Sequence, residues 1–376
     1  MSSSIYLDYN ATAKVRPEAV EAVGAAMAVG GNPSSVHAAG RAARATIERA
    51  RAQVAALAAA PPQAVTFLSG GTEANTLAIH SAVAAGFTRL IVGSTEHEAV
   101  RRTAEATGLP LEIWPVDAHG VADLRWLERR LADEPPALVC LMLANNETGV
   151  VQPVEETARW VRHAGGRLHV DAVQAAGRIA IDLRDLGAHT LALSAHKLGG
   201  PQGVGALVAA PGVTLTAGLL GGGQERGLRA GTENTPGIAG FGAAATAALR
   251  DLGDLARQRA WRDEMAERTT ALGAIVLGEG APRLPQTLCF AAKGFGSEVQ
   301  VMALDLGGVM VSAGAACSSG KVAPSGTATA MGRPDLAPFV IRVSGGWETT
   351  RQDWLRCAET WSQAFERQAA RRREVA

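Results

Sequence analysis

The chain has 376 residues, and its 36 Lys and Arg residues balance 36 Asp and Glu, giving a formal net charge of zero. That balance excludes a nucleic-acid or anionic membrane surface as the main partner, and no apolar run is long enough to span a bilayer. Four widely spaced cysteines without a C-x-x-C pair exclude a disulfide framework or a cysteine zinc site, and predict a cytoplasmic protein that binds no metal.

A chain of this length predicts one large domain with a smaller companion. Residues 1–4 carry neither the charged region nor the apolar core of a secretory signal. Residues 5–12 open with a short extended piece. Pro17 starts an Ala-rich helix reaching about Val29, and Gly30-Gly31-Asn32-Pro33-Ser34-Ser35 is a loop by its turn chemistry. An Ala- and Arg-rich helix is expected over about 37–60, ended by Pro61-Pro62. From Val65 onward strand-like and helix-like segments alternate, the pattern of a mostly parallel sheet. Seven strands are expected, at 65–68, 90–92, 111–114, 138–143, 168–170, 190–193 and 204–208, with helices at 72–85, 97–107, 121–133 and 153–164. A glycine-rich region over 218–240 precedes a long charged helix over 243–272, read as a bridge to a second domain. Strands near 286–291 and 340–343 and a final helix from about Thr350 complete the pattern, and Arg371-Arg372-Arg373 reads as a solvated tail.

The strand at 168–170 delivers Asp171 at its carboxyl end, with Gln174 close behind, and the strand at 190–193 delivers Ser194, His196 and Lys197 before Gly199-Gly200-Pro201. In an open α/β sheet, ligands sit at the carboxyl ends of strands. Either charged residue alone reads as an exposed lysine or a helix-capping aspartate. Together they are the pair that pyridoxal phosphate requires: a lysine for the Schiff base and a carboxylate that keeps the pyridinium nitrogen protonated.

Gly70, Gly71 and Thr72 stand between a strand and a helix, where glycines let the backbone approach a ligand and the helix N-terminus favours a phosphate. No G-x-G-x-x-G follows this strand, which counts against a dinucleotide-binding dehydrogenase. His97 closes Thr95-Glu96-His97 after the next strand, and Asn146 lies in Asn145-Asn146-Glu147-Thr148-Gly149, whose polar groups read equally well as turn formers. Residues 221–232 are too polar and glycine-rich for a core, and by composition alone form a linker. Cys317, among Gly, Ala and Ser, has no bulky neighbour to bury it and suits an accessible nucleophile. Cys140, Cys289 and Cys357 read as structural. Arg342 lies inside a short apolar strand, where burial demands either a substrate carboxylate or a cross-domain ion pair.

Taken in order, these segments resemble the cysteine desulfurases of the class V aminotransferase group. The motifs that carry the resemblance are Y-L-D-Y-N-A-T from Tyr6, G-N-P-S-S from Gly31, T-E-H ending at His97, S-A-H-K ending at Lys197, G-G-G-x-E-x-G-x-R-x-G-T ending at Thr232, and S-x-G-x-A-C-S-S around Cys317. The spacing from Cys317 to Arg342 is similar to that of the NifS-like branch. Lys14 replaces an expected proline, and Gly326 an expected larger residue. The resemblance spans residues 5–360. It implies an α/β protein of the PLP-dependent transferase fold type I, with a mostly parallel seven-stranded sheet. A large PLP-binding domain would cover 15–250, and a smaller α+β domain of 1–14 plus 251–376 would carry the cysteine loop.

The same resemblance implies a homodimer that converts L-cysteine to L-alanine and leaves a persulfide on Cys317. A sulfur-acceptor protein, such as an iron–sulfur scaffold or a thiolation relay protein, would then take the sulfur. Lys197 would hold pyridoxal 5′-phosphate, Asp171 its ring nitrogen, and Gln174 and Asn146 its ring hydroxyl. His97 would lie against the ring and handle protons with Lys197. Gly71, Thr72, Ser194, His196 and a neighbouring subunit's Thr232 would hold the phosphate, and Asn32, Asn146 and Arg342 the substrate. A selenocysteine lyase or a related class V aminotransferase is the alternative on the same scaffold, and a non-catalytic sulfur-transfer platform the alternative of another class.

Overall fold

A computed structural model describes residues 4–132, 134–314 and 323–375, with side chains described through Arg371. Its strands in chain order are β1 (Ile5–Tyr6), β2 (Val65–Leu68), β3 (Leu90–Gly93), β4 (Leu111–Trp114), β5 (Leu138–Met142), β6 (Arg167–Asp171), β7 (Thr190–Ser194), β8 (Gly205–Ala209), β9 (Ile275–Val276), β10 (Thr287–Ala291), β11 (Val309–Met310), β12 (Ser312–Ala313) and β13 (Val340–Ser344). Seven of them form one sheet in the order β2-β8-β7-β6-β5-β3-β4. The five strands from β7 to β4 run parallel, and β8 is antiparallel to both of its neighbours. Every residue of β3, β5 and β7 is buried, as expected of parallel strands covered by helices on both faces. All seven lie where the alternating pattern put them, within a residue or two.

The first helices explain how the polar loops reach the sheet. Helix α1 (Pro17–Val29) and helix α2 (Ala38–Ala56) pack on the helix Thr235–Arg250. Helix α2 buries Ile47, Val54 and a row of alanines at helical spacing. It stops at Ala56, short of the expected end at 60, because Ala59 turns into the left-handed region at φ 46°. The Ala60 N–H then closes the turn on the Ala55 carbonyl at 3.0 Å. Helix α3 (Gly71–Ala84) follows β2, and helix α4 (Glu98–Ala106) follows β3.

A second core lies around the antiparallel sheet β12-β13-β10-β9 and the final helix, Arg351–Val375. Phe290 meets Trp361 edge to face at 5.1 Å between centroids, and Trp354 is fully buried beside them. The N-terminal arm belongs to this core: β1 pairs parallel with β11, and Leu7 is buried within it. The single helix expected over 243–272 is instead three helical segments, Thr235–Arg250, Leu252–Ala256 and Gln258–Ala271. The chain breaks where Asp251 turns its carboxylate to Arg16 and Arg250, one residue before a helix that contains Gly253. The first segment also starts inside the glycine-rich region, where the Asn234 side chain caps the Gly237 N–H and Pro236 sits at the helix start.

Candidate active site

The carboxyl ends of β5, β6 and β7 and the N-terminus of α3 enclose a cavity of about 240 Å³. Asp171 and Gln174 enter it from the end of β6, and Ser194, His196 and Lys197 from the end of β7. Gly71 and Thr72 reach it from the start of α3, His97 from the start of α4, Asn146 from the turn after β5, and Arg342 from β13. Thr232 lies elsewhere, exposed in a cleft with Ser69, Glu225 and Glu233. Asn32 is exposed in the loop between α1 and α2, where its Oδ1 accepts the Ser34 N–H at 2.9 Å. Cys317 lies outside the described residues. Among the described residues no group of three or more His, Cys, Asp or Glu side chains could hold a metal, and no helix is long and apolar enough to cross a membrane.

Asp171 is buried, and both of its oxygens are held. Asn75 Nδ2 donates to Oδ2 at 2.7 Å and the Val173 N–H to Oδ1 at 2.9 Å. Asn75 turns its Oδ1 to His169 Nε2 at 2.8 Å, and His169 Nδ1 meets the Thr190 hydroxyl at 2.9 Å. Because Asn75 donates to the carboxylate, its Oδ1 accepts from His169 Nε2, and in the neutral ring Nδ1 accepts from the Thr190 hydroxyl. Burial pushes the imidazole down to about 4, which keeps it neutral. This chain of three side chains fixes the direction of the carboxylate at the cavity wall.

Lys197 is held by the N-terminal arm. Its Nζ donates to the Asn10 carbonyl at 2.6 Å and the Ala11 carbonyl at 2.7 Å. Gln174 Nε2 shares the Asn10 carbonyl at 2.9 Å, and its Oε1 accepts from Arg178. The arm is tied on by further bonds: Asn10 N to Ser344 Oγ at 3.0 Å, Asn10 Nδ2 to Thr287 Oγ1 at 3.1 Å, and Thr12 Oγ1 to His196 Nδ1 at 3.2 Å. Burial, then the charges of Lys197 and Arg178, push His196 down to about 4.

His97 caps α4, accepting the Ala99 N–H on Nδ1 at 3.1 Å. A neutral ring so placed carries its proton on Nε2. The neighbouring Glu96 accepts the Met142 N–H, and Met142 is the register partner of Asp171. Burial, with the nearby Asp171 charge, pushes the Glu96 carboxyl up to about 8. Arg342 is 2% exposed; it donates to Asp8 Oδ1 at 2.7 Å and to the Asn146 carbonyl at 3.1 Å. Glu147, also buried, accepts from the Thr327 hydroxyl at 2.8 Å and from Ser325. Helix α3 starts at Gly71 with no side-chain cap at Gly70, and a Cβ on Gly71 would come within 2.8 Å of Val173. That packing brings the positive end of the helix dipole to the cavity.

The donor set fits pyridoxal phosphate in its chemistry: an amine, a buried carboxylate with both oxygens oriented, a flat imidazole, and hydroxyls beside a helix N-terminus. Asn75, His169, Arg178, Asp8 and Asn10 belong to this arrangement and were given no part in it by the sequence reading. Asp8 and Asn10 sit inside a motif that carried the resemblance, and Asn75 lies one turn after Thr72 on the same helix; His169 and Arg178 left no local signal.

The class-V aminotransferase family matches residues 5–355 of the chain. A cysteine desulfurase of Cereibacter sphaeroides is 44% identical over 360 residues, covering 93% of this chain and 92% of that protein. Among solved structures, a NifS-like protein from Rickettsia africae superposes with a TM-score of 0.89 at 29% identity, covering 96% of this chain and 99% of that one. SspA in complex with cysteine superposes with a TM-score of 0.79 at 27% identity, covering 92% and 100%. The chain belongs to the class-V aminotransferase family and, within it, to the cysteine desulfurases.

Proposed function

We propose that this chain is a pyridoxal-phosphate-dependent cysteine desulfurase that takes sulfur from L-cysteine onto Cys317 and passes it to an acceptor protein. The observation that carries the reading is the convergence of Lys197, Asp171, His97 and Arg342 on one cavity at the strand ends. A relative solved with cysteine bound supports the substrate. When bound, pyridoxal phosphate supplies an electron sink that acidifies the Cα proton of an attached amino acid.

Lys197 would hold the cofactor and, as the free amine, would move the α-proton of the substrate. Asp171, oriented by Asn75, holds a proton on the ring nitrogen. His97, whose Nδ1 caps α4, would lie against the ring and handle protons with Lys197. Gly71, Thr72, Ser194 and His196 receive the phosphate, Gln174 and Asn146 the ring hydroxyl, and Arg342, with Asn146 and Asn32, the substrate. The Cys317 thiolate attacks the substrate sulfur. A new S–S bond forms as the C–S bond breaks, and the electron pair left on carbon takes up a proton to give alanine.

The reading includes a homodimer, in which Thr232 reaches a neighbouring subunit's phosphate; its exposure away from its own cavity supports this. It also includes a large domain over 15–250 and a small one of 1–14 plus 251–376, supported by the second core that the N-terminal arm joins. Cytoplasmic placement is supported by Cys140, Cys289 and Cys357, which are buried free thiols. The acceptor is read as an iron–sulfur scaffold or a thiolation relay protein.

The test is alanine and sulfide release from L-cysteine with a reductant, in wild type, Cys317→Ala and Lys197→Ala. Turnover in wild type alone, with the cofactor band kept in Cys317→Ala and lost in Lys197→Ala, supports the reading. Equal turnover in wild type and Cys317→Ala would instead make the chain a direct lyase.

A further inference from the structure

We propose that Arg178 is a positioning residue for Lys197: a buried guanidinium that fixes the lysine's backbone and, by its unneutralised charge, lowers the proton affinity of the lysine's amine. The inference rests on Lys197 being the cofactor lysine. Arg178 is 6% exposed, and among the described residues its four hydrogen bonds go to neutral acceptors. Nη2 donates to the Lys197 carbonyl at 3.2 Å and the Tyr9 carbonyl at 3.0 Å; Nη1 donates to the Gln174 carbonyl at 3.1 Å and to Gln174 Oε1. Gln174 Nε2 then donates to the Asn10 carbonyl, which also receives Lys197 Nζ. The guanidinium and the amine therefore sit at the two ends of one short polar relay, through Gln174 and Asn10.

Among the described residues no carboxylate pairs with Arg178. The nearby acids are committed elsewhere: Asp8 to Arg342, Asp171 to Asn75 and the Val173 N–H, Asp251 to Arg16 and Arg250, and Asp254 to Arg257. Tyr9 gives Arg178 only its carbonyl, and burial raises the Tyr9 phenol far above its usual range, which keeps it neutral. The other charged groups around it are cationic: Lys197, Arg342, Arg16 and Arg257, beside the neutral His196. Burial and the Arg342 charge push Arg178 itself down to about 9, and His196 is pushed down in part by Arg178. A buried cation held among neutral carbonyls disfavours a second cation nearby, and so favours the unprotonated, nucleophilic amine. A purely structural tie between arm and sheet would need the hydrogen bonds but not the charge.

The test compares wild type, Arg178→Lys and Arg178→Met, each loaded with pyridoxal 5′-phosphate, in a pH titration of visible absorbance from about pH 6 to about pH 10. Arg178→Met is expected to move the midpoint up by about one pH unit, a tenfold gain in proton affinity, while Arg178→Lys stays within about 0.3 unit. The same variants without cofactor are labelled at Lys197 with limiting acetic anhydride across the same range, read by peptide mass spectrometry, and the same upward shift is expected. A folded Arg178→Met with both midpoints unmoved overturns the proposal. If Arg178→Met does not fold, Arg178→Gln, which keeps a donor and removes the charge, decides: an upward shift of about one unit supports the proposal, and an unmoved midpoint overturns it. No band in loaded wild type, with the labelling shift present, would sink the cofactor assignment and leave the action of Arg178 on Lys197 standing.

Discussion

The guanidinium of Arg342 sits 2.7 Å from the carboxylate of Asp8, a residue 334 positions away in the chain. The pair joins β13 to the N-terminal arm at the wall of the cavity, with Arg342 almost fully buried. A buried charge that loses its partner keeps its desolvation cost and loses the compensation. Asp8→Asn is therefore expected to lower the unfolding free energy by about 3 kcal/mol, measured by urea denaturation, and the double variant Asp8→Asn/Arg342→Met to recover most of the loss. A loss in the single variant below about 0.5 kcal/mol would mean that water reaches the pair and screens it.

Asn75→Ala removes the link between His169 and Asp171 and leaves a buried imidazole N–H without its acceptor. A residue that orients a functional group is typically worth 10- to 100-fold in activity or affinity. The variant should lose about that factor in turnover of L-cysteine, with a blue-shifted or weakened cofactor band at unchanged loading. Full activity and an unaltered spectrum would show that Asp171 needs no such support.

Glu96 carries a carboxyl raised from 4.5 to about 8 in the folded protein. The folded state therefore holds a proton that the unfolded chain gives up from about pH 4.5 upward. Stability linked to this group is fully present below that point and is lost as pH rises through about 8. Over that window the loss amounts to about 3–5 kcal/mol. Glu96→Gln should match wild type near pH 5 and exceed it by about that amount at pH 9, measured by denaturation of the cofactor-free protein. Parallel pH profiles for the two would place the Glu96 proton elsewhere.

Much of this arrangement was legible in the sequence because its signals are local. The strand ends carrying Asp171 and Lys197 stand out as polar residues that close apolar runs, and Thr72 and His97 each mark the start of a helix. The rest depends on contacts that no local pattern encodes. His169 sits within an alternating strand like any buried polar residue, and its partner Asn75 lies 94 positions away. Arg178 follows an ordinary turn glycine, and only the packed structure shows it enclosed by carbonyls. Strands β9, β11 and β12 have two residues each, too few for a period to appear. The break at Asp251 went unread because the charge pattern runs on through it while the tertiary pull of Arg16 does not show in sequence.

The arm that gives Lys197 two carbonyls and Arg342 a carboxylate is synthesised 334 residues before Arg342 of β13. At a translation rate of about 5–20 residues per second, Asp8 waits roughly 20–60 s for Arg342 to be made. Throughout that interval Leu7 lacks its core and the large sheet lacks one wall of its cavity. The site therefore closes only after β13 has been made, and a nascent chain shorter than that cannot hold its ligand in the enclosed form. Cleavage of the chain between the arm and the first helix would reopen at any later time what the synthesis of β13 had closed.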